Sequence, residues 1–326
     1  MHTAYITHPA CLKHDMGATH PESSQRIHAI RDQLIASGLL DFLSLFEAPR
    51  ASKALLTLAH SVTYIESIFD QSPHSGLVAL DGDTLMNPYS LDAALHAAGA
   101  VVLGVDLVMS GQIQNAFCNI RPPGHHAGHA SAAGFCIFNN VAIAAAHALE
   151  HHGLQRVAIA DFDVHHGNGT EDIFHDDSRV MLCSTFRHPY YPYCGADSGN
   201  DHIINVPLAA GSSGAVFRAA VTNRWLPALA DFQPQLILVS AGFDAHREDD
   251  MGGLALQETD YFWVTEKLKE IASRYANDRI VSALEGGYAP HALGRSVVAH
   301  IRSLMGCEGD YDKQGANHSS PSSLYR

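Results

Sequence analysis

The chain has 326 residues, 46% of them hydrophobic, enough for one large core or two modest ones. Twenty Lys plus Arg stand against 34 Asp plus Glu, and the net charge of −14 argues against nucleic acid or anionic lipid as a partner. No apolar run approaches the ~18 residues of a membrane span, and no basic segment leads into a hydrophobic signal core, so the expected compartment is the cytoplasm, without a membrane partner.

In chain order, the hydrophobic pattern predicts a strand at 4–7, a helix at 23–37, a long loop at 72–89, and helices at 91–110 and 139–152. Strands follow at 157–162 and 180–184, then a second long loop at 187–201 and a strand at 203–206. A helix at 213–229, a strand at 236–240, a helix at 258–275, a strand at 280–284 and a helix at 290–305 complete the series. Short β-branched runs alternating with longer amphipathic stretches describe an α/β domain, a parallel sheet with helices on both faces. Neither a repeat nor a hinge-like linker interrupts residues 1–306, so one domain is expected. Residues 307–326 are polar, lack a hydrophobic period and read as an exposed tail. Such sheets place their chemistry beyond the strand C-termini.

Six cysteines (Cys11, Cys118, Cys136, Cys183, Cys194, Cys307) are scattered singly without CxxC spacing and read as reduced thiols. The 23 histidines are dispersed, so neighbours must decide which do chemistry. The densest signal is the run from Asp161 to Thr170, where a buried strand ends. In an extended chain Asp161, Asp163 and His165 share a face. Two carboxylates and an imidazole so placed call for a compensating cation, and their O and N donors suit zinc or ferrous iron. A second strand delivers Asp244 to the same edge, completing a set of three that leaves a place for water and substrate. Between Arg121 and His129 lies a Pro/Gly loop bearing His125 and His126, of which one would serve as general base. The pair His151-His152, at a helix end, reads as incidental. Leu284-Glu285-Gly286-Gly287-Tyr288 follows another strand, and its glycines allow a turn that aims the Tyr288 hydroxyl at a developing oxyanion.

Together these segments, from His20-Pro21-Glu22 through Arg26 to Tyr288, resemble the histone deacetylase family, which includes bacterial deacetylase-like amidohydrolases, acetylpolyamine amidohydrolases and acetoin-utilisation proteins. Asn168, where many class I members carry Asp, and the run from Phe135 to Asn140 are similar to the class II branch. The resemblance implies an arginase–deacetylase fold: one eight-stranded parallel sheet between helices, with a narrow tunnel leading to Zn2+. It implies Asp163, His165 and Asp244 as zinc ligands and His126 as general base and then acid. His125 would be its electrostatic partner, paired with Asp161, and Asn168 would orient His126. Tyr288 would polarise the scissile carbonyl, Phe135 and Tyr191 would wall the tunnel, and the Gly134 carbonyl would accept the substrate amide N–H. Tyr191 departs from the usual Phe. An inner K+ site would use Asp161, Ser184 and backbone carbonyls around Asp163, His165 and Thr185.

The implied reaction is hydrolysis of the amide of an acylated lysine in a protein or peptide, with a homo-oligomer as an open alternative to the monomer. An acetylpolyamine is the nearest rival substrate, since polyamines are cationic and this chain is acidic. Polyamine-selective members can carry a gatekeeping Glu where this sequence places Met251, although Glu248, Asp249 and Asp250 stand close by. An arginase-like ureohydrolase would need an Asp-Ala-His-x-Asp motif, missing here, and an inactive binding module would be expected to lose Tyr288 or a paired histidine.

Overall fold

The computed structural model describes residues 2–307. Eight strands form one wholly parallel sheet: β1 (Thr3–Thr7), β2 (Ser44–Glu47), β5 (Asn115–Cys118), β6 (Val157–Asp161), β7 (Val180–Arg187), β8 (Ile203–Leu208), β9 (Leu236–Ala241) and β10 (Ile280–Leu284), in the order β2-β1-β5-β10-β9-β6-β7-β8. A separate antiparallel ribbon of β3 (Val78–Ala79) and β4 (Leu85–Met86) lies within the first long loop. Among the described residues the α-helices are α1 (Gln25–Ala36), α2 (Lys53–Leu56), α3 (Val62–Gln71), α4 (Ser90–Met109), α5 (Asn140–His152), α6 (Asn168–Phe174), α7 (Gly214–Ala220), α8 (Leu226–Phe232), α9 (Glu258–Tyr275) and α10 (Pro290–Leu304).

Strand side chains alternate between two cores because successive residues of a strand point to opposite faces. Ala4, Ile6, Val157, Ile159, Leu236 and Leu238 pack with α3, α4 and α5 on one face. Tyr5, Ala158, Ala160, Ile237 and Val239 pack with α1, α9 and α10 on the other. Being covered on both sides explains the continuous apolar runs of the central strands.

All six expected strands and six helical regions are present, with three refinements. Strands β2 and β5 escaped the pattern: β2 is a short edge strand that alternates between half-buried and exposed residues, and β5 has only four residues. Helices α2, α3 and α6 were likewise unforeseen. The helix expected at 213–229 is divided, because a π-helical turn at Val221–Trp225 separates α7 from α8. Contrary to the hydropathy reading, α4 is long and apolar enough to cross a membrane, but 78% of its apolar window is buried inside the fold, as in a core helix. Among the described residues the cysteines are all free, four of them buried. The expected tail, apart from Cys307, lies outside the described residues.

Because every strand of the sheet runs the same way, the loops after β5, β6, β9 and β10 emerge along one edge from four adjacent strands. Those loops carry residues 119–139, 162–167, 242–257 and 285–289, which include most of the candidate site residues.

Candidate metal centre and catalytic site

The loop after β6 is organised by its own carboxylates. Asp161 Oδ1 accepts the Asp163 backbone N–H at 3.1 Å, and Asp163 Oδ1 accepts that of His165 at 2.9 Å. These two Asx turns replace the extended chain expected from sequence, since β6 ends at Asp161. The consequence is a division of labour among the three side chains. Asp163 and His165 meet, Oδ1 to Nδ1 at 3.0 Å, while Asp161 Oδ2 faces His125 Nδ1, also at 3.0 Å.

Asp244, beyond β9, completes the first group. Its Oδ1 accepts the Val164 N–H at 2.9 Å, which aims Oδ2 at His165 Nδ1, 3.2 Å away. That Oδ2 is buried and has no hydrogen-bond partner. Asp163, His165 and Asp244 are all buried and offer ligand atoms within 4.8 Å of one another. Burial and the neighbouring Asp163 push the Asp244 carboxyl up to about 6. Burial alone would lower His165, but Asp163 and Asp244 outweigh it and hold its imidazole well above the ordinary range. Two carboxylates, one imidazole and an orphaned buried oxygen fit a divalent cation. The approach is close: a Cβ on Gly286 would lie 2.0 Å from Asp244 Oδ2, and the Gly286 N–H donates to Asp163 Oδ2 at 2.8 Å.

The loop after β5 brings the two histidines alongside, with ring centroids 4.0 Å apart. His126 Nδ1 lies 2.7 Å from Asn168 Oδ1, a carbonyl oxygen that can only accept, so Nδ1 carries the proton and Nε2 keeps its lone pair. Burial, then the charges of His125 and His165, hold His126 well below the usual imidazole range. Burial acts the same way on His125, but Asp163 and Asp161 outweigh it and raise the imidazole to about 10. The two adjacent histidines are thus pushed in opposite directions, His126 toward the neutral ring and His125 toward the cation.

Tyr288 is two residues past Gly286, and its ring meets Phe135 edge-on at 5.9 Å. Tyr191 stands edge-on to His126 at 5.1 Å and to His165 at 6.0 Å. Gly134 has φ +53°, and a Cβ there would lie 2.3 Å from the His126 ring and 3.0 Å from the Tyr191 hydroxyl, so only glycine fits. Met251 is half-buried: its carbonyl accepts the Tyr190 hydroxyl at 3.0 Å, and Tyr190 in turn stacks on His165 at 5.6 Å. Ser184 lies in register with Asp161 on the neighbouring strand, its hydroxyl buried without a partner, and Thr185 follows it, also buried.

Four residues given no role from sequence border or hold this arrangement. Ser240, in register with Asp161 on its other side, presents a second orphaned buried hydroxyl. Buried Glu285 accepts the N–H groups of Gly124 at 2.6 Å and His125 at 3.1 Å, tying the histidine loop to the Tyr288 turn. Arg26, buried on α1, donates to the carbonyls of Gly287, at 2.6 Å, and Glu285, and lies 5.0 Å from the Tyr288 ring. Asp249 accepts backbone N–H groups from Tyr288 at 2.5 Å, Ala289 at 3.1 Å and Met251 at 2.9 Å. The backbone partners of Glu285, Arg26 and Asp249 lie more than 35 residues away in sequence, Met251 excepted, and no local pattern reveals them.

The histone deacetylase domain matches residues 20–304 of this chain. A histone deacetylase-like amidohydrolase of Pseudomonas aeruginosa is 35% identical over 93% of the chain and 80% of that protein. The human polyamine deacetylase HDAC10 is 35% identical over 87% of the chain, which spans 44% of that protein. A crystal structure of the HDA15 HD domain superposes with a TM-score of 0.88 at 32% identity, covering 94% of this chain and 90% of that one.

Proposed function

The chain belongs to the histone deacetylase family, and from that premise we propose that it is a zinc-dependent deacetylase acting on the acylated side-chain amine of lysine in a protein or peptide. The observation that carries the reading is the convergence of Asp163, His165 and Asp244, with the orphaned Asp244 Oδ2, beside the paired rings of His125 and His126.

In this reading Asp163, His165 and Asp244 would hold Zn2+, which when bound would supply Lewis acidity for amide hydrolysis. Neutral His126, with Nε2 free, takes the proton of that water and returns it to the departing amine. Asn168 fixes the tautomer that makes this transfer possible. His125, held cationic by Asp161, keeps its neighbour neutral and adds positive charge near the developing oxyanion. Tyr288, its phenol kept protonated by burial, donates a hydrogen bond to that oxyanion. Phe135 and Tyr191 flank the acyl-lysine stem, and the Gly134 carbonyl accepts its amide N–H. Asp161, Ser184 and Ser240, with backbone carbonyls near Asp163, His165 and Thr185, form the proposed K+ site.

The choice of lysine over a polyamine rests on Met251. Of the acids around it, Glu248 is engaged by Arg295 at 2.8 Å, and Asp249 is buried and turned toward the Tyr288 backbone. Neither of these two is left to recognise a second ammonium group, and Asp250 is turned out to solvent. Metal analysis together with kcat/KM for acetyl-lysine peptides and for acetylputrescine on one zinc-loaded preparation tests the proposal. We expect one catalytic zinc and a preference for the peptide, and Met251→Glu is expected to shift preference toward the polyamine. A wild-type preference for acetylputrescine over every acyl-lysine would replace the lysine reading with the polyamine one.

A further inference from the structure

A second convergence of metal-ligating atoms lies away from the catalytic edge, between α4 and α5. Asp106 Oδ1 is 2.7 Å from His147 Nε2 and 2.7 Å from His152 Nε2. The three residues offer ligand atoms within 4.8 Å of one another. His147 and His152 are five positions apart on α5, about 140° around a helix, so they do not form an ordinary surface ladder. Their rings instead close on one oxygen from two directions, edge to face with centroids 5.3 Å apart. His151 stacks on the buried ring of the pair, 4.5 Å from His147.

The His147 side chain is only 9% exposed, and its other nitrogen, Nδ1, is buried without a hydrogen-bond partner. The ring orientation is therefore set by packing and by what Nε2 meets. A carboxylate oxygen and two imidazole lone pairs repel unless protons or a cation lie between them. Two imidazole nitrogens and one carboxylate oxygen are a donor set that zinc accepts. At ordinary Zn–N and Zn–O lengths of about 2.0–2.2 Å, tetrahedral ligands stand roughly 3.3 Å apart, so the cluster must open by about half an ångström. It can do so: the Asp106 side chain is 48% exposed and His152, at 25%, is the last residue of α5 before Gly153. The same exposure leaves a fourth position to water.

We propose that Asp106, His147 and His152 form a second Zn2+ site, distinct from Asp163, His165 and Asp244, which clamps the C-terminal turn of α5 to α4. Zinc there stabilises the helical layer by binding the native state alone, and takes no part in the reaction.

The test is zinc stoichiometry on the full chain, by equilibrium dialysis against Zn2+ and elemental analysis, in wild type, His152→Ala and Asp106→Asn. Both substitutions are at the exposed side of the cluster, so at least one is expected to fold. Wild type should bind one equivalent more than either variant, and its Tm should rise on titrating that equivalent while the variants' does not. Asp163→Ala should lose the other equivalent and keep this one, which separates the two sites. Equal stoichiometry and an equal Tm response in wild type and both variants would overturn the proposal, as would a second equivalent that survives His152→Ala.

Discussion

At the scale of single residues, the chemistry depends on atoms whose partners are fixed and on a few that are left free. Asp244 is the clearest case: Val164 occupies Oδ1, and Oδ2 is left without a partner, free for the proposed metal. Asp244→Ala or Asp163→Ala is expected to abolish catalytic zinc and activity together, by elemental analysis and peptide turnover. Full retention of that metal in either variant would disprove the ligand set. Tyr288 separates binding from chemistry. Tyr288→Phe removes one oxyanion donor and leaves the ring against Phe135, so kcat should fall on the order of 10²–10³ with zinc content unchanged. Trifluoroacetyl-lysine, whose carbonyl is already electron-poor, should lose less than acetyl-lysine. Near-wild-type turnover by a zinc-replete variant would take the phenol out of the mechanism.

At the scale of elements, the active edge is assembled by clamps between loops that follow different strands. Asp249, after β9, holds the backbone of the Tyr288 turn after β10, and Glu285 in that turn holds the histidine loop after β5. Asp249 touches no reacting atom and acts as a positioning residue. Asp249→Ala leaves three backbone N–H groups without their acceptor, and we expect kcat to fall about tenfold or more, with catalytic zinc retained. If it works through Tyr288, then Asp249→Ala added to Tyr288→Phe should cost little further activity. Additive losses in that double-mutant cycle would show a separate, structural effect.

At the scale of the whole molecule, buried histidines couple folding to pH. His60 receives the Asn139 N–H at Nε2 and faces the Gly128 carbonyl with Nδ1, both at 2.9 Å, a pairing that only the neutral ring satisfies. Burial lowers it from 6.5 to about 4, and burial lowers His300, between Thr265 and Ser282, to about 3. A folded-state value below the unfolded one means that the unfolded chain takes up the proton first. Stability from His60 is thus complete above pH 6.5 and is lost as pH falls toward 4, by on the order of 3 kcal/mol. His60→Gln keeps a donor and an acceptor but cannot titrate, so urea unfolding across pH 4 to 7 should show a shallower acid limb than wild type. Identical slopes would remove His60 from the acid response.

The sequence alone determined the fold class, the catalytic edge and the chemical groups on it, because hydrophobic period and strand-end motifs are local properties of the chain. The alternation of apolar runs placed six of the eight strands, and the segments around Asp163, Asp244, His126 and Tyr288 each announced themselves within ten residues. What the tertiary structure decided depends on partners distant in sequence. The Asx turns that part Asp161 from Asp163, the Asp249 and Glu285 clamps, and the second orphaned hydroxyl at Ser240 follow from which strands lie side by side. The same holds for His152, which reads as half of an incidental pair until α4 sets Asp106 against it. A carboxylate's role is fixed by which donors surround it, and those donors come from across the fold.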